Sequence, residues 1–133
     1  MRRILAAFAG LSIVTFLALP SERVLAPGPT ASFGNWYLTV LHVDTATRTG
    51  APHAVPADGV FYLITAQTVG RGGFDARVVD ARGRAWSRAS DVEAMMADGR
   101  LVFDVDDDAA APVLEVRRPG SRRVVEIPLD LPF

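Results

Sequence analysis

What most constrains this chain is its rhythm from residue 35 onward: short β-branched and aromatic runs separated by Gly, Pro and Asp. Trp36 to Val43 has strand composition. Thr45 to Asp58, rich in Thr, Gly, Pro and Ala, reads as a loop. Val60 to Val69 is nearly continuous in apolar residues, which favours a central buried strand over a helix; Gly70-Arg71-Gly72-Gly73 ends it. Phe74 to Asp80 and Arg84 to Arg88 flank a tight turn at Ala81-Arg82-Gly83. Leu101, Phe103 and Val105 alternate with Val102 and Asp104, and Leu114 and Val116 with Glu115 and Arg117. In the last strand Val125, Ile127, Leu129, Leu131 and Phe133 share a face. Pro128 and Pro132 lie opposite, so this strand should run at a sheet edge or leave the ladder near Pro128.

One short helix fits. Ser90 and Glu93 have capping-box spacing, Ala94 to Ala97 are good helix formers, and Gly99 is placed to supply a left-handed C-terminal residue. About seven strands with one short helix predict an all-β fold, an antiparallel β-sandwich over residues 35–133. No long helical segments separate the strands, which disfavours a parallel α/β fold.

The N-terminus follows a different pattern. Met1-Arg2-Arg3 precedes an uncharged apolar run from Ile4 to Ser21. This is the pattern of a secretory signal peptide or a retained signal anchor over residues 1–20. At ~1.5 Å per residue the run covers roughly 27 Å, just short of the ~30 Å hydrocarbon core, so length does not separate the two. Val24-Leu25-Ala26 suits signal peptidase, but Pro27 after the cut does not. In either case Arg2 and Arg3 keep the N-terminus in the cytoplasm and place the domain outside it. Residues 21–34 mix Pro, Gly, Ser and charge and read as a linker.

Composition excludes several functions. All 14 basic side chains are Arg, against 15 acids. Beyond residue 26 there remain 11 bases and 14 acids, a balance of −3 that gives no reason to expect nucleic acid or anionic lipid as a partner. The absence of Cys rules out disulfides, thiol catalysis and Cys-based zinc sites.

With Gly59-Val60-Phe61-Tyr62-Leu63-Ile64-Thr65-Ala66, the Asp80 to Arg84 turn, Pro119 to Arg123 and the ending Leu129 to Phe133, the chain resembles the small immunoglobulin-like extracytoplasmic domains of bacterial lipoproteins and membrane-anchored proteins of unknown function. The resemblance covers roughly residues 33–133 and implies an immunoglobulin-like sandwich at the cell membrane; it carries no catalytic residue. The family often places Asn after the central strand, where this chain has Thr68-Val69-Gly70, and many members carry a lipid-modified Cys that is absent here.

The candidate sites are few. Asp104, Asp106, Asp107 and Asp108 form the one carboxylate cluster, with Asp106 to Asp108 as calcium candidates; the spacing lacks the Gly and distal Glu of an EF-hand, and a solvated acidic turn is the plainer reading. Arg117, Arg118, Arg122 and Arg123 bracket the Pro119-Gly120 turn and would form an anion-binding fork if they converge; the plainer reading is a solvated tip. His42 shares a strand face with Trp36, Leu38 and Val40, which predicts a partly buried, hydrogen-bonded imidazole. Neither His42 nor His53 lies in a hydrolase or zinc motif. Trp36, Tyr37 and Trp86 are either a stacking platform or core aromatics. The expectation is a membrane-tethered, non-enzymatic module without cofactor that binds a protein or envelope component. The alternative is a secreted calcium- or small-ligand-binding domain.

Overall fold

A computed structural model describes residues 22–50 and 54–132. The expected signal or anchor helix, His53 and Phe133 lie outside these residues.

The described chain forms two sheets face to face, an all-β sandwich. Its strands are β1 (Glu22–Leu25), β2 (Thr30–Phe33), β3 (Trp36–Arg48), β4 (Pro56–Val69), β5 (Asp75–Val79), β6 (Ala85–Ser87), β7 (Leu101–Val105), β8 (Val113–Arg117) and β9 (Arg123–Pro128), with one helix, α1 (Ser90–Met96), between β6 and β7. One sheet has the order β1-β9-β8-β5-β6, the other β2-β3-β4-β7. All pairings are antiparallel except β1 with β9.

The main core lies between the sheets. Leu38, Ile64, Val78, Phe103, Leu114, Val116 and Ile127 are fully buried there, each stabilising by roughly 1.5–3 kcal/mol relative to exposure. A second cluster lies on the outer side of the four-stranded sheet, where Phe61, Leu63 and Val102 meet Val92 and Met96 of α1. Residues 61–64 of β4 are therefore buried on both faces, which explains the unbroken apolar run.

Several expectations are corrected. The expected linker contributes β1 and β2, one strand to each sheet, with Val24 pairing beside Val125 and Ala31 beside Leu38. The expected loop 45–58 shrinks to residues 49–55, since β3 and β4 form one long hairpin. Of the two alternatives for the last strand, the second holds: the chain leaves the ladder after Pro128, while β1 pairs along the other side of β9, so it is not an edge. The helix is capped differently as well. Ala89 is the N-cap, with no side-chain bond, and Ala97 takes the left-handed C-cap conformation at φ 52°. Glu93 instead accepts from Arg88 Nη2 (2.6 Å) and the Val102 N–H (2.9 Å), fastening the helix to β7.

His42 is likewise not partly buried. A β-bulge between Val40 and His42 shifts the phase of β3, so Trp36, Leu38 and Val43 face inward while His42 is exposed, 3.0 Å from Asp44 Oδ1.

Gly59 marks the tightest contact between β4 and β7. A Cβ there would lie 2.2 Å from the Val105 carbonyl oxygen. Gly59→Ala should therefore cost about 2–3 kcal/mol by overpacking, whereas Gly28→Ala, with nothing within 4 Å of the added methyl, should stay within about 0.5 kcal/mol. Urea denaturation of the two variants checks this, and equal midpoints would refute it.

Candidate functional site

Three charged constellations organise the surface. The first lies on the outer face of the five-stranded sheet. Leu114 and Val116 point into the core, so Glu115 points outward, in register with Arg77 on β5 and Glu126 on β9. Arg77 Nε donates to Glu115 Oε1 at 2.6 Å, Arg117 Nε to the same oxygen at 3.1 Å, and Arg23 Nη1 reaches over from β1 to Oε2 at 2.7 Å. Arg23 also meets Glu126 at 3.0 Å. The arginine stems cover Glu115 completely, at 0% exposure. Burial pushes its carboxyl up, but the hydrogen bonds from Arg77, Arg23 and Arg117 outweigh burial and hold it at about 2. At neutral pH this carboxylate neither gives nor takes a proton. A recess of about 270 Å³ beside it is lined by Asp75, Arg77 and Arg117.

The second constellation closes one end of the sandwich. Buried Asp80 accepts from the N–H groups of Arg82 (3.1 Å), Arg84 (3.0 Å) and Ala110 (3.2 Å), and from the Arg84 guanidinium at 2.8 Å. Burial raises its pKa, and these donors reverse the effect and bring it to about 2. Arg84 then extends Nη1 to Asp106 (3.2 Å) and Asp108 (3.0 Å), and Arg82 meets Asp108 at 3.3 Å. Asp104 turns back onto β4, accepting from the N–H groups of Asp58 (2.9 Å) and Gly59 (3.0 Å). The three calcium candidates therefore do not gather around one cation position: Asp106 and Asp108 converge on Arg84 instead. Guanidinium occupies the position between Asp106 and Asp108, and Asp107 projects into solvent. Among the described residues, no group of three His, Asp or Glu side chains is placed to hold a metal.

The third constellation closes the opposite end, where β1 begins. The four arginines around the Pro119-Gly120 turn do not all converge: Arg118 and Arg123 flank one recess, while Arg117 and Arg122 point elsewhere. Arg117 joins Glu115. Arg118 lies over the Trp36 ring at 4.6 Å and donates to the Gly73 carbonyl and, at 3.0 Å, the Arg71 carbonyl. Arg123 lies over Phe33 at 5.7 Å and donates to the Ser32 carbonyl at 3.1 Å, bridging the two sheets. Arg122 stays exposed. A recess of about 290 Å³ lined by Phe33, Gly34, Arg118, Ser121 and Arg123 opens at this end.

The aromatic candidates do not share a surface. Trp36 is in the core, Tyr37 is exposed on the other side of β3, and Trp86 packs against the core beneath Arg84, 5.3 Å away.

Sequence reasoning missed Glu115 and Asp80 as hubs. Glu115 sits in the polar phase of an alternating strand, and only the register with Arg77 and Glu126 reveals that it is covered. Asp80 carried a weak signal as the residue opening a turn that contains Gly83.

No family model, curated protein or solved structure matches the chain in comparisons with known proteins.

Glu115→Ala should cost about 2 kcal/mol, less than the full penalty for breaking a buried pair, because the three arginines remain 40–47% exposed and can rehydrate. Glu115 and Asp80 both titrate lower in the folded chain than in the unfolded one. The stability they contribute is fully present above the ordinary carboxylate range and is lost as pH falls toward 2. Denaturation at stepped pH should therefore show a loss of stability between about pH 4.5 and 2, shallower in Glu115→Gln. A flat profile in the parent chain would refute the assignment.

Proposed function

We propose that this chain is a membrane-tethered, extracytoplasmic, non-enzymatic binding module of the immunoglobulin-like type, and that its partner is a protein that adds a strand to the free edge of β3. The observation that carries this reading is the overhang of β3. β2 pairs with β3 only from Trp36 to Thr39, and the Val40 N–H closes that ladder on the Pro29 carbonyl at 2.9 Å. β3 continues to Arg48, and over residues 41–48 its one ladder neighbour among the described residues is β4. An unpaired edge of this length is a template for strand addition. Leu41, 58% exposed, stands at its start beside a recess of about 300 Å³ lined by Pro29, Val43, Pro128 and Asp130, which suits an apolar side chain of an incoming segment.

Other features support the remaining parts. The order β3-β4-β7 facing β9-β8-β5-β6, leaving β1 and β2 aside, supports the immunoglobulin-like part of the reading. The apolar run to residue 20 directly precedes β1, which supports the tether. The buried carboxylates Glu115 and Asp80 and the half-buried Glu93 are engaged by arginine and backbone donors, which supports binding over acid–base chemistry.

A photo-crosslinking residue at Leu41, in native membranes, should yield a discrete adduct that is absent when the crosslinker is at Ala85 on the far edge. Thr47 lies in the second irregularity of β3 and has no cross-strand partner. Thr47→Pro should reduce the adduct about ten-fold while leaving the melting temperature within a few degrees. Equal adducts from both edges, or an adduct indifferent to Thr47→Pro, would sink strand addition.

A further inference from the structure

We propose that the end of the sandwich from which β1 emerges docks on the headgroups of an anionic lipid surface; the proposal rests on the tethered reading for its proximity to the membrane. Charge is segregated along the strand axis. The N-terminal end of β1, the β2–β3 turn, residues 70–74 and residues 118–122 all lie at one end, as the pairing registers require. That end carries Arg71, Arg117, Arg118, Arg122 and Arg123 against Glu22 and Asp75. The opposite end carries Asp58, Asp80, Asp104, Asp106, Asp107 and Asp108 against Arg82 and Arg84, with Asp130 and Arg48 beside them. The domain is therefore a dipole, although its net charge is only slightly negative.

Two features make lipid headgroups the fitting occupant of the basic end. The side chains of Arg71 and Arg122 are exposed there with no hydrogen bond or ion pair among the described residues, so both guanidinium forks are free to take phosphate. Arg118 and Arg123 flank the recess above Trp36 and Phe33, and it is wide enough for a phosphate group. The second feature is reach. Only Ser21 separates the apolar run ending at residue 20 from β1, and Glu22 is already held by the Arg122 carbonyl at 3.0 Å. A spanning segment there leaves almost no tether, so the arginine end must lie within a few ångströms of the headgroups, inside the Debye length of an anionic surface. The like-charged aspartate end is repelled from the same surface. Each free arginine should change the ratio of docked to undocked domains about five-fold.

The chain has no cysteine, so single labels can be placed cleanly. The full chain would carry a fluorophore at Asn35→Cys, on the β2–β3 turn, or at Asp107→Cys, at the far end. It would be reconstituted in phosphatidylcholine vesicles with or without phosphatidylglycerol, containing a headgroup-nitroxide lipid as quencher. Flotation is read alongside. The expected result is strong quenching at residue 35 and little at 107. The difference should grow with phosphatidylglycerol, shrink in high salt, and fall several-fold in Arg71→Ser/Arg122→Ser. Equal quenching at both positions in floating vesicles overturns docking and leaves the tether standing. Quenching at 35 that ignores phosphatidylglycerol, salt and the double variant comes from the short tether alone and also overturns docking. Flotation only with phosphatidylglycerol upholds docking and overturns the tether, and flotation with neither overturns both.

Discussion

β4 must be dry on both sides, and the rest of the molecule is arranged around that requirement. Tyr62 and Ile64 face the five-stranded sheet, while Phe61 and Leu63 face α1. Burying four such side chains is worth on the order of 6–12 kcal/mol before the entropy of ordering the chain is subtracted. The layer outside the four-stranded sheet is a helix of only seven residues, too short to be stable alone. It holds because Glu93 draws together Arg88, the helix and the backbone of Val102, and because the Ala89 N–H donates to the Val102 carbonyl at 2.8 Å. The helix that covers β4 is thus positioned by one carboxylate, one backbone bond and the packing of Val92 and Met96.

The same device recurs at the other buried acids. Every basic side chain in the molecule is an arginine, whose planar fork can satisfy a carboxylate from several directions at once. Exposed pairs such as Arg82–Asp108 contribute little. Glu115 and Asp80 differ because no water reaches them, so each lost donor leaves a lone pair unmet. Arg23 makes β1, four residues long and paired on one side only, continuous with the lattice on β9, β8 and β5. The expected linker becomes a strand for this reason as much as for its apolar residues.

The seven strands β3 to β9 and the class of fold were legible in the sequence because period-two alternation and Gly or Pro punctuation are local, whereas β1 and β2 were not. The turns at Asp80–Arg84 and Arg118–Ser121, the end of β9 at Pro128 and the central place of β4 follow from such signals. What escaped is set by register. The bulge beyond Val40 inverts the exposure of His42, and nothing in the residues around it marks the extra position. The aspartates at 104–108 look like one cluster in sequence, yet Asp104 turns back onto the β4 backbone, Asp106 and Asp108 share the Arg84 guanidinium, and Asp107 is exposed. The arginines at 117–123 look like one fork, yet Arg117 is drawn onto the outer sheet face by Glu115 while Arg118 and Arg123 flank a recess at the end of the sandwich. Proximity in sequence predicts convergence poorly in a β-sandwich, because neighbours along a strand are divided between its two sides.

Net charge hides a similar division, and resolving it links the two ends of the molecule to one geometry. Averaged over the domain, the charges gave no reason to expect an anionic surface as partner; resolved along the strand axis, they separate into a basic end and an acidic one. β3 starts at the basic end with Trp36 and runs toward the acidic end. At roughly 3.3 Å per residue, Leu41 lies about 17 Å along that axis and Arg48 about 40 Å. If the basic end rests on headgroups, the unpaired edge of β3 begins beyond the headgroup layer and extends away from it. The end that would hold the domain down and the edge that would receive a partner are then separate surfaces of the same hairpin, and occupying one leaves the other open.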